Sequence, residues 1–404
     1  MSYLDKLLEG VEVVWKTFGE VADYEQPTKY LVKSNNYKDY FPIPVLTAGK
    51  TFILGYTDEI DGIYKASENP VVIFDDFTTA NKWVDFDFKA KSSAMKIITS
   101  KDESKTILKY IYYWLNTLPS GLVDGDHKRQ WISNYSKKLI PIPCPDNPEK
   151  SLEIQNEIVR LLDTFTKLTA ELTAELTAEL TARKMQYNYY REELFDFNEE
   201  KVDYKSLGEI GEFQRGKRFV KTDMILDGVP CIHYGEMYTH YGTWANESKS
   251  FLSEELVKIK KLRVAEKNDI VIVAAGETIE DIGIGTAWLG DKGVVIHDAC
   301  FSYRSTLNPK YVAYFTRTKH FHDQIKKHIS SGKISAINEK GLSKVIIPVP
   351  SPEEQARIVS ILDKFDTLTT SISEGLPKEI ELRKKQYKYY RDKLLAFPKD
   401  NLKV

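Results

Sequence analysis

The sequence predicts a mixed α/β protein of the α+β class, built from one module used twice, in which a globular segment precedes a long helix. Two observations support this prediction. Residues 166–182 read TKLTAELTAELTAELTA inside a longer helical pattern. Residues from 155 onward also align without a gap with residues from 355 onward, at a constant offset of 200. Because an offset this large is not a solenoid period, we interpret it as a duplicated module.

The first helical pattern contains Thr-Ala-Glu-Leu three times in succession, from Thr169 to Leu180. Ala, Glu and Leu are strong helix formers, and no Gly or Pro interrupts the run. Apolar residues recur at helical spacing from Ile154 through Leu180. The predicted helix begins near Pro148 and ends near Phe197. It is too long for an ordinary globular helix and indicates a coiled-coil strut.

The second copy of the helical pattern keeps the apolar positions of the first and the ending Gln-Tyr-x-Tyr-Tyr-Arg, at 186–191 and 386–391. It begins at Ser351-Pro352-Glu353-Glu354, which reads as a capping box with Pro at the first helical position. Gly375 and Pro377 fall where the first copy is unbroken. Since Pro in a helix interior costs about 3 kcal/mol, we predict a kink or break near 374–377.

Composition narrows the classes of protein that fit. The chain has 404 residues and a net charge of −2, so a nucleic-acid surface would have to come from local patches. Cys144, Cys231 and Cys300 form no CxxC, which argues against a zinc site and for a reducing compartment. There is no apolar run of about 18 residues and no signal-peptide pattern near the start. We therefore expect a soluble, cytoplasmic protein.

The chain divides into five predicted parts. They are a globular segment at 1–146, a helix at 147–200, a second globular segment at 201–350, a second helix at 351–397, and a tail at 398–404. The second globular segment repeats the framework of the first, since residues 204–210 echo 15–21 and the closing Ile347-Pro-Val-Pro350 echoes Ile142-Pro-Cys-Pro145. The residues between these landmarks differ, which is typical of one fold that carries two sets of loops.

This arrangement resembles the specificity (S) subunit of a type I restriction–modification enzyme, particularly the type IC group, whose first spacer helix bears Thr-Ala-Glu-Leu repeats. The resemblance covers the whole chain. It implies two target recognition domains, each reading half of an asymmetric double-stranded DNA site, and two helices that pair as an antiparallel coiled coil. It also implies docking of two methyltransferase subunits, joined by restriction/translocase subunits. The S subunit would be non-catalytic, and S-adenosylmethionine, ATP and Mg would serve the assembled complex, with no cofactor in this chain.

Two patches of the first globular segment are candidates for DNA contact. One is the basic and amide-rich run near 127–134, where Lys and Arg can neutralise phosphates and Gln and Asn can read adenine. The other follows the predicted strand 71–74. The candidate residues are His127, Lys128, Arg129, Gln130, Asn134, Thr79, Asn81 and Lys82. The alternative for each patch is a solvated loop. Asp75 and Asp76 could accept hydrogen bonds from cytosine or simply face solvent.

The second globular segment offers four candidate positions. They are a Gly-spaced basic loop, a histidine after a strand, the region after strand 270–273, and a small polar run near 330. The candidate residues are Arg215, Lys217, Arg218, His233, Thr278, Ser331, Lys333 and Ser335. A charge run is often only a solvated surface, and a core histidine is an equally good interpretation of His233.

The ends of the two helices are candidates for protein contact, because aromatic residues and Arg are enriched at interfaces. The candidate residues are Tyr187, Tyr189, Tyr190, Arg191, Tyr387, Tyr389, Tyr390 and Arg391. Two other hypotheses remain open at this stage. A DNA-modifying enzyme with a duplicated fold would be active as a single chain, and a coiled-coil adaptor would not bind DNA at all.

Overall fold

The computed structural model describes residues 10–48, 51–119, 129–198, 200–330, 332, 334–371 and 374–397. The chain forms two compact units. Unit 1 comprises Met1–Ala174 and Glu381–Val404, and unit 2 comprises Glu175–Ile380. Each unit therefore combines one globular segment with parts of both helical patterns. In the described part of the chain, no helix has the length and apolar character needed to span a membrane.

The globular part of unit 1 contains short strands and a few short helices. The strands are Val13–Thr17, Ala22–Glu25, Ile43–Leu46, Ile53–Thr57, Val71–Asp75, Asn81–Val84, Lys89–Ala90, Met95–Ser100 and Leu139–Pro143. The α-helices are Phe18–Val21, Leu108–Leu115 and Gln130–Ser133, and the 3₁₀-helices are Pro27–Tyr30 and Tyr135–Lys137. Four strands form an antiparallel sheet in the order Ala22–Glu25, Met95–Ser100, Val71–Asp75, Asn81–Val84.

The globular part of unit 2 has more strands on the same plan. They are Asp203–Ser206, Gly211–Arg215, Val229–Ile232, Trp244–Ala245, Ser250–Leu252, Val264–Ala265, Ile270–Val273, Ala275–Gly276, Gly285–Trp288, Val294–Ile296, Cys300–Ser305, Ser335–Ala336 and Ile346–Val349. The α-helices are Leu207–Ile210, Tyr234–Thr239, Glu254–Lys260, Pro309–Phe315, Lys319–Lys326 and Glu339–Ser343, with a 3₁₀-helix at Lys221–Asp223. The main sheet has the order Gly211–Arg215, Cys300–Ser305, Ile270–Val273, Gly285–Trp288, Trp244–Ala245.

The framework shared by the two globular segments has a structural explanation. In each, the opening strand pairs antiparallel with the closing Pro-x-Pro strand, so that Trp15 faces Pro141 and Tyr204 faces Pro348. These are two-stranded ladders, the setting in which strands tolerate proline. The closing strand of the first segment is therefore an edge strand. The Lys-Thr/Ser-x-Gly-Glu echo forms a capping box in both copies, at Thr17 and at Ser206.

The repeated residues of the helices fasten each helix to its own globular segment. Gln155 accepts a hydrogen bond from the backbone N–H of Ile107 (3.0 Å), and its counterpart Gln355 accepts one from Asn308 (2.9 Å). Asp163 accepts from the Tyr113 hydroxyl (2.5 Å). Asp363 accepts from the Tyr314 hydroxyl (2.7 Å), so the duplicated positions carry the same structural role. The fully buried Ile158 and Ile358 join the cores of their respective units.

The first long helix runs unbroken from Pro148 to Glu193, 46 residues, as predicted. The second is broken into Pro352–Thr370 and Leu376–Leu394, which confirms the predicted interruption. Pro377 lies in the first turn of the second piece, where its missing N–H costs no helical hydrogen bond. Ser351 caps the first piece by accepting from the N–H of Glu354 (3.3 Å).

The helices pair within each unit. In unit 1, Phe165 stacks on Tyr390 (5.6 Å between ring centroids), and the hydroxyls of Thr166 and Tyr387 are 3.0 Å apart. From Phe165 to Thr166 on the first helix, the contacting residue on the second helix moves back from Tyr390 to Tyr387, so the two helices run antiparallel. In unit 2, Phe365 stacks on Tyr190 (5.5 Å). The predicted fold class is confirmed: α+β, with two repeated globular segments, each followed by a long helix, and antiparallel helix pairing.

Candidate nucleic-acid interface

The predicted patch around residue 130 is anchored to the core of unit 1 by Trp131, which is 1 % exposed and packs edge-on against Phe18 and Phe74. Its backbone N–H donates to the Asp76 carboxylate (2.8 Å). Arg129 stays accessible, with 43 % of its side chain exposed, and its guanidinium lies 3.8 Å from Asp76. His127 and Lys128 are outside the described residues.

The prediction that Gln130 reads a base is wrong. It is 3 % exposed, because Trp131 draws the short helix Gln130–Ser133 into the core. Its amide oxygen accepts from the side chain of Asn134 (3.3 Å). Asn134 is partly exposed and remains a candidate.

The second predicted patch of unit 1 is a β-hairpin rather than a loop after a strand, since Val71–Asp75 pairs with Asn81–Val84. Thr79, at the turn, is 8 % exposed and has φ of 62°, so its prediction as a DNA contact is wrong. Asn81 accepts a hydrogen bond from the amide of Asn116 (3.0 Å) and is half-buried. Lys82 is exposed and remains available to DNA.

Neither aspartate of this hairpin is free to accept from a base. Asp75 is 5 % exposed, and its carboxylate accepts from the N–H (2.9 Å) of Phe77 and the hydroxyl (2.5 Å) of Thr78. Asp76 is fully buried beside the equally buried Lys96, with 3.4 Å between Oδ2 and Nζ. Both carboxylates therefore have structural roles. They neither face solvent nor are free to accept a hydrogen bond from cytosine.

Unit 2 brings separately predicted residues together in a cleft of about 810 Å³. The lining includes Arg215 and Arg218 of the basic loop, His233, the segment 275–277, and Ile334 of the small polar run. These residues span more than a hundred positions of sequence, and the sheet and its loops place them around one opening. Three residues that the sequence analysis missed, Lys221, His297 and Asp298, also line it.

The basic loop is held against the end of a strand by a glycine. A Cβ on Gly216 would lie 2.2 Å from the carbonyl oxygen of His297 and 2.4 Å from that of Ile296, so no other residue fits there. The guanidinium Nε of Arg215 donates to the carbonyl of Asp298 (2.9 Å). Arg218 and Lys221 are exposed at the mouth. The backbone therefore presents several cations in one place, which suits phosphate contact.

The inner end of the cleft contains two imidazoles, His233 and His297, with 4.6 Å between ring centroids. Burial lowers the pKa of both. Nδ1 of His233 accepts the N–H of Gly235 (3.3 Å), which places the ring proton of the neutral form on Nε2. His233 is 6 % exposed and caps the helix Tyr234–Thr239, so it is a core residue that also borders the cleft.

The remaining candidates of unit 2 lie around the cleft or outside the described residues. Ser335 is wrong as a DNA contact: it is 6 % exposed because it pairs with Gly276 in a short ladder. Thr278 is exposed and hydrogen-bonds Asp281. Lys217 is half-buried and does not border the cleft. Ser331 and Lys333 are not among the described residues.

Comparison with known proteins decides the family. The model of the type I restriction modification DNA specificity domain matches residues 10–182 and 199–382. The chain belongs to this family. It is 54% identical over 404 residues to the EcoR124I/EcoR124II specificity subunit of Escherichia coli, covering 99% of this chain and 98% of that one. The predicted resemblance is therefore confirmed, and the chain is a specificity subunit, not a catalytic one.

Other relatives agree. A specificity subunit of Haemophilus influenzae described as putative is 33% identical over 408 residues, covering 98% of each chain. A chain from a structural study of complex assembly and conformational transition of the type I R-M system has a TM-score of 0.65 at 17% identity. That alignment covers 95% of this chain and 97% of the other, and it supports the fold alone.

The predicted protein-contact residues of the specificity subunit divide into exposed and buried ones. Tyr189 and Tyr389 are 59% and 62% exposed. Tyr190 and Tyr390, at 39% and 40%, have one ring face stacked on phenylalanine. Tyr187 is wrong as an exposed contact, since it is 8% exposed and stacks on Phe365. The remaining three are partly buried: Tyr387, Arg191 and Arg391.

Proposed function

We propose that the chain reads an asymmetric, two-part DNA site, one half with each unit. The observation that carries this proposal is the unit 2 cleft, which Arg215, Arg218 and Lys221 line together. The strands that support this cleft have counterparts in unit 1, where the loops between them differ. Cations at the mouth suit the phosphates, and the partly exposed Tyr234, which also lines the cleft, suits contact with a base. Unlike loops on one frame imply unlike half-sites.

We also propose that the chain scaffolds two methyltransferase subunits and restriction/translocase subunits in the cytoplasm. Exposed Tyr189 and Tyr389 at duplicated helix ends support two similar contacts. S-adenosylmethionine, ATP and Mg would then act in the partner subunits. In the described part of the chain, no group of three His, Cys, Asp or Glu residues is placed to hold a metal ion.

Exchange of residues 201–350 for the corresponding segment of a relative tests the reading of half-sites. We expect one half-site to change and the other to stay, because the recognition loops belong to separate units. The measurement is methylome sequencing of cells that contain the variant and its methyltransferase partner. A palindromic parental site, or a change in both halves, would contradict the proposal. Methylation by the purified chain alone would favour the enzyme hypothesis instead.

Substitution of Arg218 by Gln is expected to weaken duplex binding and to flatten its salt dependence. Loss of one phosphate contact lowers the slope of log K against log salt by about 0.9. Lys267→Gln is the matched control, since this exposed lysine pairs with Asp291 and does not border the cleft. Binding is measured by fluorescence anisotropy over a range of salt concentrations. Equal slopes for the two variants would exclude a phosphate contact at Arg218, and absence of any salt-dependent binding would favour the adaptor hypothesis.

The double substitution Tyr189→Ser and Tyr389→Ser is expected to weaken assembly with the methyltransferase about tenfold or more, while DNA binding is retained. Tyr is among the residue types enriched at interface hot spots, where truncation costs about 2 kcal/mol or more. Tyr40→Ser is the control, because Tyr40 is 76 % exposed and lies in the globular part of unit 1. Sedimentation velocity gives the stoichiometry. Unchanged assembly would place the partner surface elsewhere.

A further inference from the structure

Unit 2 contains a second cavity, of about 730 Å³, at the C-terminal end of the helix Tyr234–Thr239. Its walls come from the helical segments and from the loop after that helix. The lining includes Tyr187, Arg191, Tyr238, Arg317, Asp366 and Thr370. The proposed DNA reading does not use this cavity.

Hydrogen-bond donors without partners converge on this cavity. Two buried side-chain polar atoms of its lining lack a hydrogen-bond partner: Arg191 Nε and Arg317 Nη1. Arg191 Nε is 3.7 Å from the Glu192 carboxylate, which is beyond hydrogen-bond distance. An unsatisfied buried donor is destabilising, and more so when it is charged. Two charged donors in one place indicate that a further acceptor can bind there.

Arg317 is held in position by the protein. Its Nε donates to the hydroxyl of Thr243 (3.2 Å) and its Nη2 to the carbonyl of Gly242 (2.8 Å), which leaves Nη1 for a ligand. Asp366 lines the same cavity and hydrogen-bonds the Thr370 hydroxyl (3.4 Å). The lining thus has two guanidiniums and one carboxylate, and Glu192 beside Arg191 supplies a second carboxylate next to it.

The duplication shows that the fold does not require the charges of Arg317 and Asp366, whereas Arg191 is retained in unit 1 as Arg391. Residues 109–114 align with 310–315, which pairs Asn116 with Arg317, and the offset of 200 pairs Thr166 with Asp366 and Tyr387 with Tyr187. In unit 1, these neutral residues lie within hydrogen-bond distance of one another or of neighbouring residues. Thr166 is 3.0 Å from the Tyr387 hydroxyl, and the Asn116 amide donates to Asn81 (3.0 Å).

We infer that the unit 2 cavity binds the carboxylate of an acidic side chain from a protein partner. Guanidinium groups bind carboxylates through paired, charge-assisted hydrogen bonds. A DNA phosphate fits less well. Residues 175–193 and 352–370, which contribute part of the walls, contain more acidic than basic side chains and so disfavour a polyanion. The inference rests on the proposed function for the existence of a partner, and it makes the contacts of the two units with their partners chemically different.

The test uses the full-length chain labelled with ¹⁵N at arginine and follows the Nε–H resonances by NMR. Sodium acetate and N-acetylglutamate amide replace chloride at constant ionic strength, and a mixed-sequence duplex is added in a separate titration. We expect the Arg317 resonance to shift saturably with either carboxylate and not with the duplex. The variant Arg317→Asn/Asp366→Thr, which copies the neutral residues of unit 1, should lose the carboxylate-induced shifts of the Arg191 resonance. Arg357→Gln is the control variant, because Arg357 is exposed and lies on the helix Pro352–Thr370 with Asp366. It should keep the carboxylate-induced shift of the Arg317 resonance.

Three outcomes would overturn the inference. They are no saturable shift at Arg317 with either carboxylate, a shift at Arg317 caused by the duplex, and a carboxylate-induced Arg191 shift that persists in the double variant. Failure of the proposed DNA reading is visible separately, because it would leave the Arg215 and Arg218 resonances unchanged by the duplex whatever the carboxylates do.

Discussion

Deletion of residues 177–180, one Thr-Ala-Glu-Leu repeat, is expected to abolish methylation of the parental DNA site. It should create a site with the same half-site sequences and a spacer about one base pair shorter. The structure shows one unbroken helix from Pro148 to Glu193, in which Leu172, Leu176 and Leu180 are half-buried while Glu171, Glu175 and Glu179 are exposed. Removal of four residues retains this alternation, so the helix should form as before.

The rotation caused by the deletion matches that of a base pair. Four residues turn an α-helix by about 400°, a net change of roughly 40°. One base pair turns B-DNA by about 35°, from ~10–10.5 base pairs per turn. The lengths agree less well, at ~6 Å of helix against ~3.4 Å per base pair. We rely on the rotation, because a groove mismatch cannot be absorbed by a small bend.

The measurement is the methylated motif of the deletion variant beside that of the parent. A replacement of Thr177 by Ala, which leaves the repeat length unchanged, should retain the parental motif and serves as the control. An unchanged spacer in the deletion variant would show that the helix does not measure the DNA. Altered bases within a half-site would show that the deletion disturbs a recognition surface.

Substitution of Asp76 by Ala is expected to destabilise unit 1 by about 3–5 kcal/mol, the range for removal of one partner of a buried ion pair. Lys96 would be left as a fully buried ammonium without its carboxylate. The N–H of Trp131 would lose its acceptor as well. Because Trp131 anchors the short helix that follows Arg129, the same change should weaken DNA binding by unit 1.

Denaturant unfolding gives the free energy of unfolding of each variant. A double-mutant cycle isolates the interaction energy between Asp76 and Lys96. Asp76→Asn with Lys96→Met removes both charges while the Asn side-chain oxygen remains an acceptor, so it should cost less than Asp76→Ala alone. Lys65→Ala, which breaks an exposed ion pair with Asp87, is the surface control and should change stability little. If Asp76→Ala were no more destabilising than Lys65→Ala, the pair would have no role in holding the helix Gln130–Ser133 in place.

The sequence by itself determined the features that depend on local preference and on repetition. Helix-forming Thr-Ala-Glu-Leu repeats predicted the long helix, and Gly375 with Pro377 predicted the break in its copy, because these residues act through backbone conformation alone. The constant offset of 200 revealed the duplication, and the structure explains it by equivalent contacts of Gln155 and Gln355.

The tertiary structure decided which polar residues can reach a ligand. Gln130, Thr79 and Ser335 have side chains suited to DNA, yet each is buried because a neighbouring core residue, turn or strand pairing turns it inward. Arg218, His233 and His297 come from separate loops, and only the packing of the sheet places them around one cleft. Exposure and convergence depend on contacts between residues distant in the chain, and a pattern read along one sequence carries no information about those contacts.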